Sequence, residues 1–250
     1  MPIREITSLA IPKSLVPAVK SLHTIFFRFL PDVNVVMGGG SVLAARWNHR
    51  DSTDIDLFVS PAAMQALTAE KSLLYRAVRE AIGEAGVDPF SGFLSGDIEG
   101  TPFSLAASEF IREDQGVSEQ IADTYFRAAT NEEILSGKIM GRLHRNSGQA
   151  VAAPIRDLYD IVVAAHRASG VVGYILSGIT QKGRSVIAAD LRRMPDNLQE
   201  VDQKPLMNPR YQVELKGLAK TVAAAIEAGN ETLLPPVFPS KQESYAEPEP

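Results

Sequence analysis

The sequence predicts an α+β fold, in which a small mixed β-sheet flanked by helices is followed by a helical C-terminal region. Three patterns support this class. Short β-rich apolar runs alternate with helical patterns in residues 1–130, helical periodicity dominates residues 131–232, and residues 233–250 are rich in Pro and Glu. We therefore expect a sheet-containing core, a helical domain and a disordered tail with these boundaries.

The first helix and the first core strand lie before a run of glycines. Apolar residues recur with helical spacing from Val16 to Leu30, and Pro31 ends the pattern. The run Val33–Met37 is apolar and rich in valine, as expected for a buried strand. The glycines Gly38–Gly40 then end this strand and form a turn.

A short helix and a second strand follow the glycine turn. Ser41 is predicted to cap the helix Val42–Trp47, whose N-terminus would offer N–H groups and a positive dipole end to an anion. The strand Asp54–Val59 carries Asp54 and Asp56 at positions i and i+2, which lie on one face of a strand. The two carboxylates are therefore expected to converge beside an anion-binding turn.

Two converging carboxylates indicate a cation site, because like charges at short range repel unless a cation lies between them. Mg2+ suits the pair, since it prefers oxygen ligands and often completes its shell with substrate phosphates. Neither motif is specific alone: an Asp-x-Asp pair can be two solvated side chains, and a glycine run can be an ordinary loop. Their combination, with Asp54 and Asp56 on an otherwise apolar strand, favours a metal and phosphate site.

The remaining elements of the core are a helix, a hairpin and a short strand. Pro61 begins a long helix with one apolar stripe. Phe90–Ile98 and Thr101–Ala107 are predicted to pair through a Glu99-Gly100 turn. Tyr125–Ala129 is a candidate for one more strand.

The second half of the chain is predicted to be helical. Thr130 and Glu133 form a capping-box pattern at the start of a helix that runs to about Arg145, and Pro154 begins the next helix. Two further helices are expected, at Ile175–Arg193 and Gln212–Ala228.

Composition restricts the classes of function. The chain of 250 residues has no cysteine, which excludes disulfides, thiolate zinc sites and a cysteine nucleophile. No apolar run reaches the roughly 18 residues of a membrane span, and residues 1–5 do not have the pattern of a signal peptide. A cytoplasmic location without membrane contact is the expectation.

Charge is distributed unevenly along the chain. The formal net charge is -5, yet the segment Lys138–Arg193 contains nine Lys or Arg and three Asp, a local net charge of +6. A basic segment in an acidic protein favours a polyanionic partner such as an NTP or RNA. A solvated helical face would have the same composition.

The segment Gly38–Ser60 resembles the signature of the polymerase-beta-like nucleotidyltransferase superfamily. More narrowly, it resembles the AbiEii/AbiGii toxin family of nucleotidyltransferases. The Gly-Gly-Thr/Ser turn and the His-Arg-x-Ser-x-Asp-Ile-Asp motif of that family match Gly39–Ser41 and His49–Asp56. A later Lys and an Arg-Asp-x-x-Asp element correspond to Lys138 and Arg156–Asp160.

The resemblance covers roughly residues 33–167 and implies that residues 1–130 are a nucleotidyltransferase core. The implied activity is an NTP-dependent transfer of the EC 2.7.7 type, by the toxin of a type IV, AbiE-like toxin–antitoxin system. In such a reaction an acceptor hydroxyl attacks the α-phosphate of the NTP and pyrophosphate leaves. An RNA acceptor, with tRNA among the candidates, and a cognate antitoxin would be partners.

The resemblance also implies roles for individual residues. Asp54 and Asp56 would bind Mg2+, and Gly39, Gly40 and Ser41 would bind the β- and γ-phosphates. The resemblance further implies a catalytic lysine and two catalytic acids later in the chain, with an Arg–Asp pair orienting the lysine. Basic side chains would also bind phosphate. These further residues are Lys138, Asp157 and Asp160 for catalysis and Lys138 for phosphate. Two more residues are assigned to phosphate from their positions: Arg142 lies at i+4 from Lys138 on the same helix face, and Arg50 lies in the turn before Asp54.

The sequence departs from the superfamily pattern in one respect. The superfamily presents a third carboxylate from a neighbouring strand, whereas Pro102–Ser108 contains no acid. Glu109 is the nearest candidate, and Asp157 and Asp160 are alternatives. The identity of the general base and the binding of a second metal ion therefore stay open.

Other functions also stay open at this point. An enzyme with the same fold can transfer a nucleotide to a small molecule or a protein. The lack of a third carboxylate is compatible with a nucleotide-binding protein without turnover. A glycosyltransferase with a metal-binding Asp-x-Asp motif is a weaker alternative, because it does not need a glycine turn just upstream.

Overall fold

Two units make up the described part of the chain, for which we use a computed structural model. It describes residues 7–29, 35–68, 76, 80, 87–88, 93–111, 119–121, 123–124, 126–144, 154–202 and 205–240. The first unit comprises Met1–Arg46 and Ser52–Glu133, and the second comprises Trp47–Asp51 and Ile134–Pro250. The domain boundary after residue 130 stays a prediction.

A mixed sheet forms the centre of the first unit. Among the described residues its strands are β1 (Thr7–Leu9), β2 (Val36–Gly38), β3 (Ile55–Val59), β4 (Val87–Asp88), β5 (Phe93–Ile98), β6 (Thr101–Ala107), β7 (Glu119–Ile121) and β8 (Arg127–Ala128). They lie in the order β1-β7-β8-β2-β3-β6-β5-β4. The fold is therefore α+β with a mixed sheet, as the sequence predicted.

The strands β2, β3 and β6 position the first motif. β3 is antiparallel to β2 and parallel to β6. Ile55, Leu57 and Val59 alternate along β3 and are fully buried, whereas Asp56 is half-buried. Because successive side chains of a strand point to opposite faces, Asp56 lies on the face opposite these three residues.

Among the described residues, the helices that belong mainly to the first unit include α1 (Val16–Phe29), α2 (Gly39–Trp47) and α3 (Pro61–Thr68). In the predicted apolar stripe of α1, Val19, Leu22 and Phe26 are buried, whereas Val16 and Ile25 are half-buried. The predicted start of α2 at Val42 is wrong. The helix begins at Gly39, whose φ of +68° turns the chain directly from β2 into the helix, so Ser41 lies inside the first turn and is not the cap.

The predicted hairpin is confirmed for the residues that the structure describes. β5 and β6 are antiparallel, and Ile98 pairs with Thr101. Glu99 and Gly100 form the turn with φ angles of 52° and 71°. Positive φ at both central residues is what a two-residue type I′ turn requires.

The capping box at the start of the next helix, α4 (Asn131–Ser136), is also confirmed. The N–H of Glu133 donates to Thr130 Oγ1 at 3.2 Å, and the N–H of Thr130 donates to Glu133 Oε2 at 2.8 Å. After α4 the chain continues as a π-helical segment, Gly137–His144, rather than as the regular helix that was predicted.

Helices dominate the second unit. They are α5 (Ile155–Arg167), α6 (Val171–Ser177), α7 (Gln181–Arg192), α8 (Leu198–Val201) and α9 (Leu218–Ala228). Two short strands, β9 (Tyr211–Gln212) and β10 (Phe238–Pro239), pair antiparallel. α9 packs against α7 and α5 and buries Val222, Ala223 and Ile226. Within the described residues, no helix combines the length and the apolar character needed to cross a membrane.

Two predicted helices of this unit need correction. The helix expected at 175–193 is divided, because α6 ends before Gly178 and Thr180 caps α7 by accepting a hydrogen bond from the N–H of Gly183 at 3.2 Å. The helix expected from Gln212 begins only at Leu218, after Gly217 with φ of +72°.

Part of the predicted disordered tail has defined structure. In residues 233–240, Phe238 and Pro239 pair with β9, and the N–H of Ser240 donates to the carbonyl of Arg210 at 2.9 Å. The backbone supplies these bonds, so a composition rich in Pro and polar residues did not reveal them. Residues 241–250 lie outside the described part of the chain.

Candidate functional site

The turn between β2 and α2 lies directly against Asp56. Gly38 is opposite Asp56 in the pairing of β2 with β3. A Cβ atom on Gly39 would lie 2.0 Å from Oδ2 of Asp56 and 2.8 Å from its Cγ. A side chain at this position would therefore displace the carboxylate, in addition to straining a backbone with positive φ. Gly40 follows in the first turn of α2 and is buried.

Three serines surround the two aspartates, and we call the five residues the serine–aspartate cluster. Ser52 Oγ donates to Asp54 Oδ1 at 3.2 Å, and Ser104 Oγ donates to Asp56 Oδ1 at 3.0 Å. Ser41 Oγ lies 3.1 Å from Ser52 Oγ and also donates to the main-chain carbonyl of Asp54. All five residues belong to the first unit.

The position of Ser41 changes what it can offer to a phosphate. Its side chain is completely buried, and its hydroxyl contacts Ser52 and the carbonyl of Asp54. In this arrangement the hydroxyl fixes the segment that leads into β3. The donors that the glycine turn can offer to a phosphate are therefore the backbone N–H groups in the first turn of α2, because a helix cannot satisfy its own first N–H groups.

The chemistry of the cluster fits a hard divalent cation. Asp54 and Asp56 are half-buried carboxylates, each with one oxygen held by a serine hydroxyl. Oxygen ligands of this kind are those that Mg2+ prefers. Among the described residues, no group of three or more His, Asp or Glu side chains is arranged to hold a metal ion.

Strand β6, next to β3, contributes a serine at the position where the superfamily pattern has an acid. In the parallel pairing of β3 with β6, Ser104 is the partner of Asp56. β6 ends at Ala107, so Glu109 lies beyond the strand. Ser104 was not among the site residues predicted from the sequence, although the alternation of buried Phe103 and Leu105 on either side of it places it on the face of Asp56.

A second group of charged residues is buried in the second unit. Lys138 Nζ forms ion pairs with Asp157 and, at 3.0 Å, with Asp160 Oδ2. Arg142 Nη1 lies 2.8 Å from Asp157 Oδ2. The side chains of both aspartates are 0% exposed and that of Lys138 is 5% exposed, whereas that of Arg142 is 37% exposed.

The turn after α2 completes this group, which we call the buried ion network. Arg50 binds Asp160 through two bonds, from Nε to Oδ1 at 2.7 Å and from Nη2 to Oδ2 at 2.8 Å. His49 Nε2 lies 2.8 Å from Asp160 Oδ1, and the His49 ring stacks on Tyr159 with centroids 5.9 Å apart. The planar guanidinium of arginine matches a carboxylate in this bidentate way.

The charges of the network keep both aspartates ionised. Burial raises the pKa of the Asp157 carboxyl. The positive charges of Lys138 and Arg142 lower the pKa by a larger amount, so its value is about 2. Burial also raises the pKa of Asp160, while Lys138 and Arg50 hold it well below its usual value. The attraction of buried cations thus outweighs desolvation at both carboxyls.

Two side chains of the network are less exposed to solvent than their predicted roles in phosphate binding require. Lys138 was predicted to contact the triphosphate, and Arg50 was predicted to contact phosphate. Here both side chains are buried and both bind Asp160. His49, which the motif brought in without a clear role, is fully buried and contacts the same carboxylate.

Residues far along the chain hold the turn 47–51. Asp51 Oδ1 lies 2.7 Å from Arg210 Nη2, and its Oδ2 accepts from Asn208 Nδ2 at 2.6 Å. The pKa of Asp51 is lowered by these hydrogen bonds, that from Asn208 first. The hydroxyl of Tyr159 donates to the carbonyl of His49 at 3.1 Å. No sequence pattern indicated these contacts, because they join positions more than 100 residues apart.

Comparison with known families gives these motifs an identity. A family model described as "Nucleotidyl transferase AbiEii toxin, Type IV TA system" matches residues 24–228. The chain belongs to the AbiEii toxin family. The resemblance drawn from the sequence is therefore confirmed, and the chain is a nucleotidyltransferase toxin of the type IV toxin–antitoxin class.

Other comparisons give less detail about this AbiEii family member. A crystal structure from H. pylori, described as that of a candidate nucleotidyltransferase, is similar with a TM-score of 0.43 and 16% sequence identity. The similarity covers 89% of this chain and 98% of that chain. The search of curated proteins found no match.

Proposed function

We propose that this chain is a Mg2+-dependent nucleotidyltransferase that transfers NMP from an NTP to a hydroxyl of an RNA, with tRNA among the candidate acceptors. The supporting observation is the contact between the glycine turn and Asp56, in a cluster that also contains Asp54. In this arrangement the glycine turn, to which we assign phosphate binding, lies beside Asp56, to which we assign cation binding. The proposal includes a cognate antitoxin and a cytoplasmic location.

Residues of the first unit take the binding roles in this proposal. Asp54 and Asp56 would bind Mg2+, which supplies charge neutralisation for the phosphates when it is bound. The N–H groups of Gly39, Gly40 and Ser41 at the start of α2 would bind the β- and γ-phosphates. The new bond joins the acceptor oxygen to the α-phosphorus, the bond from the α-phosphorus to the pyrophosphate oxygen breaks, and the proton of the acceptor hydroxyl passes to water.

The buried ion network takes a different role in the same proposal. Asp157 and Asp160 hold Lys138 and Arg50 in fixed positions, which favours a role in organising catalysis over one in covalent chemistry. Arg142 is the most exposed side chain of the network, so it is the member best suited to meet a phosphate. We propose these functions for the network on the basis of the family motif and its burial.

The test is transfer of label from NTP to RNA. The purified protein is incubated with Mg2+, each α-labelled NTP in turn and total RNA, and labelled RNA is the expected product. Asp54→Asn and Asp56→Asn should each lower transfer by at least about 100-fold, the usual size for loss of a principal electrostatic group. Asp97→Asn is the matched control, because Asp97 is an exposed acid on β5. Equal transfer by the wild type and both cluster variants would contradict the proposal.

A second candidate is transfer to a small molecule or a protein, or NTP binding with little turnover. Two observations favour it. The position beside Asp56 on β6 holds Ser104 and not an acid. Several basic side chains of residues 138–193 also pair with acids of the protein, as Arg192 does with Glu227. Label on protein or on a small molecule, without labelled RNA, would favour this candidate.

A further inference from the structure

The alternation of side chains along β6 places a hydroxyl on the face of Asp56. Phe103 and Leu105 are buried at 3% and 1% exposure, and Ser104 between them is half-buried. Ser104 is paired with Asp56 in the register of the two parallel strands. Residues paired in this way point to the same side of a sheet. The contact between their side chains is therefore built into the sheet.

The bond from Ser104 gives the two oxygens of Asp56 different environments. Oδ1 accepts from the hydroxyl at 3.0 Å, whereas Oδ2 lies toward Gly39, 2.0 Å from the place of a Cβ atom there. The terminal torsion of an aspartate has a broad, two-fold preference and does not fix the carboxylate by itself. The hydroxyl on Oδ1 restricts the rotation of the carboxylate and favours the orientation in which Oδ2 lies toward the glycine turn.

Ser52 acts in the same way on the other aspartate. Its hydroxyl donates to Asp54 Oδ1 at 3.2 Å and lies 3.1 Å from the hydroxyl of Ser41. Ser52 and Ser41 are 6% and 0% exposed, so their positions are set by packing. An ionised carboxylate is only an acceptor, and the serine must therefore be the donor in each pair.

We propose that Ser104 and Ser52 are positioning residues, which set the orientation of Asp56 and Asp54 toward a divalent cation. This inference rests on the proposed function. Groups that hydrogen-bond to metal ligands typically contribute 10- to 100-fold in metal affinity. Because each serine hydroxyl donates to its aspartate, its effect should appear in metal dependence rather than in the turnover reached at saturating metal.

The test measures cation binding directly. MnCl2 is titrated into the wild type, Ser104→Ala, Ser104→Thr and Asp56→Asn, and free Mn2+ is followed by electron paramagnetic resonance. Ser104→Ala should weaken Mn2+ binding about 10- to 100-fold, Ser104→Thr should restore most of it, and Asp56→Asn should abolish it. Ser8→Ala, at an exposed position of β1, is the matched control and should bind as the wild type does.

A second measurement separates positioning from a structural effect. In the labelled-NTP assay, Ser104→Ala should require about 10- to 100-fold more Mg2+ for half-maximal transfer, while transfer at saturating Mg2+ stays within about three-fold of the wild type. Thermal unfolding monitors the fold of each variant. Should Ser104→Ala fail to fold, Ser52→Ala and Ser104→Cys test the same prediction.

The outcomes distinguish this inference from the proposed function. Wild-type binding that survives in Ser104→Ala and Ser52→Ala but is lost in Asp56→Asn would overturn the positioning role and leave the metal site in place. Equal Mn2+ affinity of the wild type and Asp56→Asn would overturn the metal site and the positioning role together. If Ser104→Ala loses turnover at saturating Mg2+ while its Mn2+ affinity is unchanged, the positioning role is also overturned, because the serine would then act in the chemical step.

Discussion

Position 39 shows how one residue constrains the arrangement of the site. The absence of a side chain serves two purposes there, because it allows a φ of +68° and leaves room for the carboxylate of Asp56. Gly100 offers a contrast, since it has φ of +71° but nothing within 4 Å of the place of its Cβ. Both glycines have a positive φ, which would strain any other residue, and they differ in what a methyl group would displace.

We expect Gly39→Ala to abolish nucleotidyl transfer, with a loss of at least about 100-fold, because a displacement near 1 Å of a reacting group has that effect. Gly100→Ala should keep its activity. Both variants should lose roughly 1–3 kcal/mol in the free energy of unfolding, the cost of a non-glycine residue at positive φ. Urea unfolding and the labelled-NTP assay measure the two effects, and full activity of Gly39→Ala would contradict the described contact.

The buried carboxyl of Asp157 leads to a prediction about acid stability. Its pKa is about 2 in the folded protein and near 3.8 ordinarily. A lowered pKa means that the unfolded chain binds more protons, so stability increases with pH through this range. The carboxylate therefore contributes about 2 kcal/mol that is fully present above pH 4 and is lost between pH 4 and pH 2. Asp160 contributes with the same sign.

The variant Asp157→Asn tests this dependence. It removes the carboxylate that pairs with both Lys138 and Arg142, although Lys138 keeps its ion pair with Asp160, and breaking a buried ion pair costs about 3–5 kcal/mol at pH 7. The difference from the wild type should shrink as pH falls below 4. Urea unfolding at pH 7, 5, 3.5 and 2.5 gives the comparison. Asp196→Asn, which removes a surface pair with Lys220, should change little at any pH. A constant difference across the pH series would argue against the assignment.

At the level of elements, local sequence signals were reliable and contacts between distant segments were not. The Glu99-Gly100 hairpin and the Thr130 capping box were predictable, because each depends on residues two to four positions apart. The pairing of Ser104 with Asp56 needs the register of two strands that are 48 residues apart. Likewise, the divided helix near Gly178 was missed because its apolar periodicity continues across the break.

The candidate site follows the same division. The glycine turn and Asp-x-Asp pair were visible, because they fall within one strand–turn–helix–strand segment. The motif also indicated Lys138, Asp157 and Asp160, yet the burial of these residues was not predictable. Burial depends on how α5 packs, and a sequence window does not contain that information.

The capping box supplies a prediction at this scale. Glu133 caps α4 and also forms a buried bidentate pair with Arg127, at 2.9 and 2.8 Å. Thr130→Ala should therefore cost about 1 kcal/mol, the usual value for a cap. Glu133→Ala should cost about 3–5 kcal/mol, because it leaves the guanidinium buried without its partner. Chemical unfolding measures the loss in the free energy of unfolding for each variant. Equal losses in the two variants would show that the pair with Arg127 adds no stability.

For the whole molecule, the distribution of charge matters more than its sum. The net charge is -5, and the basic stretch 138–193 looked like a surface for a polyanion. The acids within this stretch are already counted in its local net charge of +6, but Arg192 also pairs with Glu227, which lies outside the stretch. Composition alone overstated the positive charge available to a partner, because the acids that neutralise a side chain need not be close in sequence.

We therefore expect RNA binding, where it occurs, to depend weakly on salt. Each phosphate contact contributes roughly −0.7 to the slope of log affinity against log salt for single strands. Because Lys138 pairs with Asp157 and Asp160 and Arg192 pairs with Glu227, we expect a slope shallower than about −3, equivalent to four contacts or fewer. Filter binding of total tRNA between 50 and 300 mM KCl measures this slope. A slope near −6 would indicate a broad basic surface and contradict the expectation.

The five residues 47–51 group with the C-terminal half of the chain, although the segments on either side of them group with the N-terminal half. A fragment that ends at Glu133 would keep His49 and Arg50 but lose Asp160, the acid that both of them contact. The N-terminal half is therefore not a portable module. In chimaeras between relatives, and in gene shuffling over evolutionary time, the loop and its distant acid must be inherited as a pair.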